Sequence, residues 1–89
     1  NEFFNSSFSS FELYPNPSNN NDITVIYDTK SNNIEISIID INGKLVFNHS
    51  SSNSGFSAKT ISTSNLDKGI YIVKINSNGD YLQKKLIIN

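Results

Sequence analysis

Apolar and polar residues alternate along most of the chain. Ile23, Val25 and Tyr27 interleave with Thr24, Ile26 and Asp28. Ile34, Ile36 and Ile38 interleave with Glu35 and Ser37, and Tyr71, Val73 and Ile75 with Ile72 and Lys74. A period of two sends successive side chains to opposite faces of a pleated ribbon, so each run predicts a strand with one buried face. The same reading gives a short strand over 11–14, stopped by Pro15-Asn16-Pro17, because proline lacks an N–H and restricts the residue before it. Further strands are expected from 45, over 56–62 and over 81–88. In the last, Leu82, Lys84, Leu86 and Ile88 share one face. Asn42-Gly43 and Asn78-Gly79 each separate two apolar runs and predict hairpins, with a type I′ turn at Asn42-Gly43 that needs positive φ twice. The expected buried set is Leu13, Ile23, Val25, Ile34, Ile36, Ile38, Val46, Ile61, Leu66, Tyr71, Val73, Ile75 and Leu86.

Seven short strands with turn signals between them predict an all-β, antiparallel β-sandwich. Composition agrees: the 13 Ile, 6 Phe and 4 Tyr suit half-buried pleated surfaces, and Ala58 is the single alanine. At 89 residues the chain predicts one domain, with 11–89 as its body and 1–10 as the end of a linker. Asn1 to Ser10 has no clean period and scatters Phe3, Phe4 and Phe8 among polar residues. With no methionine and no signal peptide, the chain is expected to be a piece of something longer.

Charge and cysteine usage narrow the chemistry. Seven lysines, no arginine and eight carboxylates leave a net charge of −1, which excludes the basic footprint of a nucleic-acid binder. The longest apolar runs, such as Leu86-Ile87-Ile88, are too short to span a membrane. No cysteine means no disulfide frame, no cysteine-ligated metal, and no immunoglobulin domain of the disulfide-bonded type.

Little points to catalysis. His49 is the one histidine, in a polar stretch, and reads as an exposed residue at a strand end. No serine sits in a nucleophile setting with a base and an orienting partner. Asp22, Asp28, Asp40, Asp67 and Asp80 fall at strand ends and turns, where aspartate bonds local backbone, and no calcium-loop spacing joins them. We therefore expect no enzymatic activity, no cofactor and no metal. Asn5-Ser6-Ser7 and Asn48-His49-Ser50 fit the glycosylation pattern, as chance allows among 15 Asn and 15 Ser. Leu66 to Tyr71 is more specific: a leucine, a turn glycine and a tyrosine opening a strand match the tyrosine corner of Greek-key sandwiches. There the tyrosine hydroxyl bonds backbone a few residues upstream and locks the crossover between sheets.

Four fragments now stand in order: Leu13-Tyr14-Pro15-Asn16-Pro17, Asp40-Ile41-Asn42-Gly43-Lys44-Leu45-Val46, Leu66-x-x-Gly69-x-Tyr71, and Lys84-Lys85-Leu86-Ile87-Ile88-Asn89 at the end. In this order the chain resembles the type A C-terminal sorting domain of the type IX secretion system of Bacteroidetes (also called the Por secretion system), from about Phe11 to Asn89. The resemblance implies an immunoglobulin-like sandwich of about seven strands that acts as an address. It implies transit through the periplasm, passage of an N-terminal passenger protein through the outer-membrane translocon, and delivery to the cell surface or the medium. It also implies removal by a sortase-like peptidase that cuts in the linker, with no insertion into the membrane. The positions it carries over are Pro15, Asn16, Pro17, Asp40, Gly43, Gly69, Tyr71, Lys84 and Lys85. The lysine-bearing last strand is a plausible sheet edge, where charge also discourages aggregation and a partner strand could add. The alternative function is an accessory immunoglobulin-like module that binds carbohydrate or protein, for which exposed aromatics such as Phe3, Phe4, Phe8 and Phe56 would serve.

Overall fold

The computed structural model describes residues 8–15, 22–29, 33–52, 55–77 and 79–89. Seven strands follow in order: β1 (Phe8–Tyr14), β2 (Ile23–Thr29), β3 (Ile34–Asp40), β4 (Leu45–Ser51), β5 (Gly55–Ile61), β6 (Gly69–Ser77) and β7 (Asp80–Ile88). There is no helix among the described residues. The strands form two antiparallel sheets, β1-β2-β5 and β4-β3-β6-β7. The arrangement is an immunoglobulin-like sandwich in which the fourth strand pairs with the third instead of the fifth. A tight hairpin forces that choice, because β3 and β4 are joined by four residues and pair along their whole length.

Alternation drives the packing. β2 buries Ile23, Val25, Tyr27 and Thr29, β3 buries Ile34, Ile36 and Ile38, and β6 buries Tyr71, Val73, Ile75 and Ser77. These residues pack between the sheets with Ile61, Leu86 and Ile88. Each large aliphatic removed from water contributes roughly 1.5–3 kcal/mol.

Eleven of the thirteen expected core residues are buried; Val46 and Leu66 are only half-buried against the core. Val46 lies where the β3–β4 register slips, between the Ile38–Phe47 and Ile39–Leu45 pairs. That extra residue leaves neighbouring Val46 and Phe47 both partly inward on an edge strand. Leu66 sits in the β5–β6 connection, whose backbone turns by a Leu66 N–H bond to the Thr63 carbonyl, 3.0 Å. Phe11, Tyr27 and Ile88 join the core in addition. β1 also opens earlier than expected: Phe8, Ser9 and Ser10 extend it, across a register slip that breaks the alternation.

Strand directions fix which loops share an end. β1, β3, β5 and β7 run one way and β2, β4 and β6 the other. One end of the sandwich therefore carries connections 15–22, 41–44 and 62–68 together with the last residues of β7. The opposite end carries 30–33, 52–54 and 78–79 and the start of β1. Ser77 pairs directly with Asp80, which places the second expected hairpin, although Asn78 lies outside the described residues.

Candidate recognition surface

The β3–β4 hairpin is built on Asp40. Its Oδ1 accepts the N–H of Asn42 and the N–H of Lys44, each at 2.9 Å. Its carbonyl accepts Gly43 N–H at 3.0 Å and its N–H donates to the Lys44 carbonyl at 2.9 Å. Gly43 has φ +83° and is the only glycine in this turn. Because Asp40 already bonds to Lys44, the loop proper is Ile41, Asn42 and Gly43, a turn across Asp40 to Gly43 that ends on the left-handed glycine, rather than the expected two-residue type I′ turn. The carboxylate explains the difference: two N–H groups bond to it, which stabilises the longer loop.

The expected tyrosine corner is present. Tyr71 is buried, and its hydroxyl donates to the Asp67 carbonyl at 2.6 Å. Burial raises the Tyr71 hydroxyl pKa above its ordinary value, and the charges of Asp67 and then Asp40 add to this. Two residues earlier, Gly69 has φ +153° where the chain enters β6, and an added Cβ would meet no atom within 4 Å. Its backbone angle rather than crowding therefore favours glycine there.

Lys84 and Lys85 lie on β7, an edge of the four-stranded sheet. They point to opposite faces. Lys84 pairs with Val73 and faces inward, its Nζ 5.9 Å from the centre of the Phe11 ring on β1. An inward charge at an edge blocks strand addition, and Lys59, opposite Val25 on edge strand β5, has the same placement. Lys85 pairs with Ile72 and faces outward.

Pro15, Asp40, Gly43, Gly69 and Tyr71 all fall at the end of the sandwich that carries the finish of β7, and Asp40 pairs directly with Tyr71. Lys84 and Lys85 lie along β7 on the way to that end. Asn16 and Pro17 lie outside the described residues.

His49 is not at a strand end. It is within β4, half-buried, inward and opposite Ile36, because β4 continues to Ser51. Among the described residues no three His, Asp or Glu side chains gather where they could hold a metal. Phe56 is 71% exposed on the outer face of the three-stranded sheet, opposite Asp28. Phe3 and Phe4 are outside the described residues.

Pattern reasoning missed a further feature, the outer face of the four-stranded sheet. Leu45, Ile39, Ile72 and Lys85 form one cross-strand row, and Ile70 and Ile87 the next. Leu45 is 54% and Ile70 46% exposed. The signal was available as Ile38-Ile39 and Leu86-Ile87-Ile88, runs in which two successive residues cannot both face the core.

The family described as secretion system C-terminal sorting domain matches residues 12–89. No curated protein gives a significant match.

Proposed function

The chain belongs to the type IX secretion C-terminal sorting domain family, and from that premise we propose how its folded surface serves as the address. The domain is a sorting signal for type IX secretion, placed C-terminal to a passenger that is exported to the cell surface or secreted. The family is not known for enzymatic activity, and we assign the chain none. In our reading the passenger and domain cross the periplasm together, and the sandwich from β1 to Asn89 folds as the unit that the outer-membrane translocon reads. A sortase-like peptidase then cuts in the linker upstream of β1. The recognised features are Pro15, Asn16, Pro17, Asp40, Gly43, Gly69, Tyr71, Lys84 and Lys85.

The observation that supports this reading best is convergence. Residues scattered from position 15 to position 85 are carried by separate elements, and those described lie at or lead to one end of the sandwich. Most have a clear task there: Asp40 and Gly43 set the hairpin, and Tyr71 and Gly69 set the entry to β6. A surface read as a shape needs fixed turns more than reactive groups.

Export of a fluorescent passenger fused ahead of the chain tests the assignment of β7. Truncation from Gln83 removes Leu86 and Ile88 from the core as well as both lysines, and should abolish export. Lys84→Ala with Lys85→Ala leaves the core intact and should change stability by only about 0.5 kcal/mol. If that folded double variant exports at the full rate, the lysines serve edge protection and solubility and are not read.

A further inference from the structure

The two outer faces of the sandwich differ in charge. Among the described residues the three-stranded sheet shows Glu12 and Asp28 outward and no lysine, since Lys59 faces in. The four-stranded sheet shows Lys74 and Lys85 outward. Its one outward acid, Glu35, lies toward the far end, where its Oε2 accepts the Asn48 side-chain amide at 3.0 Å. Next to those lysines the face is apolar: exposed Leu45 with half-buried Ile39 and Ile72 in one row, exposed Ile70 with half-buried Ile87 in the next. Exposed Lys44 and Lys68 stand beside this patch in the chain, against Asp67 alone, because the Asp40 carboxylate is turned into its own hairpin. Four of the six described lysines thus lie on or beside this apolar face, in a molecule with net charge −1.

Contiguous exposed apolar side chains ringed by one sign of charge mark an interaction site. The patch lies at the end of the sandwich opposite the start of β1, so the described part of the chain approaches from the other sheet and the other end. It also takes in Lys85 and Ile87, part of the terminal motif that carries the family resemblance.

We propose that the outer face around Leu45, Ile39, Ile72, Ile70 and Ile87 is the docking surface for a protein of the type IX outer-membrane machinery whose own contact surface is apolar at its centre and acidic at its rim. The apolar centre supplies affinity by losing water, and the lysine rim sets orientation and the rate of encounter. This rests on the sorting role and adds to it the surface that is read and the chemistry of what reads it.

The test uses the whole chain fused behind a passenger in a type IX host. Leu45→Ser with Ile70→Ser alters the apolar centre, and Lys74→Glu with Lys85→Glu reverses the rim. Each should lower the exported fraction about tenfold, the effect of losing a binding hot spot. Phe56→Ser, on the other sheet, should leave export unchanged. Melting curves of the purified chains show which variants fold. Should the apolar variant fail to fold, the rim variant, which changes exposed Lys85 and half-buried Lys74 over the Tyr81 ring and leaves every core residue in place, still decides. Full export of the folded variants overturns the proposal while leaving the sorting role standing; failure of the unaltered chain to export overturns the sorting role itself. Two other results would also overturn it. One is dimerisation of the purified chain, by sedimentation, that the apolar variant abolishes, which would make the occupant a second copy. The other is binding to phosphatidylglycerol vesicles that the rim variant abolishes, which would make it a lipid surface.

Discussion

Single side chains set the geometry of the end of the sandwich where β7 finishes. Tyr71 bridges the crossover between the sheets through one short bond to the Asp67 carbonyl. Tyr71→Phe keeps the ring in the core and should cost about 1 kcal/mol, the net worth of a hydrogen bond, measured by denaturant unfolding. The same hydroxyl sets a pH dependence. Its pKa is raised in the folded state, so the folded chain holds this proton more tightly than the unfolded chain. The resulting stability is fully present below the ordinary tyrosine value and is lost as pH rises from about 10 through the folded value. Tyr71→Phe should flatten the alkaline fall in stability, and an equally steep fall in the variant would contradict the assignment. Gly43 makes a second case. A Cβ there would meet nothing within 4 Å, but φ is +83°. Gly43→Val should therefore cost about 1–2 kcal/mol through backbone conformation alone, and Gly43→Asn clearly less, because asparagine visits this region more readily. Equal melting temperatures for the two variants would contradict this.

At the level of strands, period-two alternation carried most of the architecture. β2, β3 and β6 are legible because they are central, and a strict alternation places one whole face in the core. Edges were harder to read. β4 has a register slip at Val46, and β7 buries only Leu86 and Ile88, since most of its length faces water on both sides. The start of β1 was hidden because a slip between Phe8 and Ser10 breaks the period. The turn at Asp40 differed from expectation because a side-chain carboxylate, invisible to a two-residue rule, bonds two backbone groups. The apolar outer patch was hidden for another reason: it joins positions from four strands, and only register shows them as neighbours. The division into central and edge strands makes a prediction. Val73→Ala, at a fully buried site in β6, should cost roughly 2 kcal/mol or more by leaving a cavity. Phe56→Ser on exposed β5 should stay within about 0.5 kcal/mol. Comparable losses for the two in urea unfolding would mean that the core is elsewhere.

The whole molecule is an all-β sandwich whose family function is sorting, and its stability comes from packing between two sheets with no disulfide to support it. Its melting temperature should be unchanged by excess chelator. A fall restored by calcium would contradict this, since an ion bound only to the folded state stabilises it by mass action. The same folded unit has to account for delivery of the passenger. The direct measurement is the distribution of one fluorescent passenger, carrying an export signal and this chain at its C-terminus, in two hosts that differ only in the type IX translocon. The account predicts passenger on the surface or in the medium of the competent host, and retention in the periplasm of the other. An identical distribution in both hosts, with the domain folded, would contradict it.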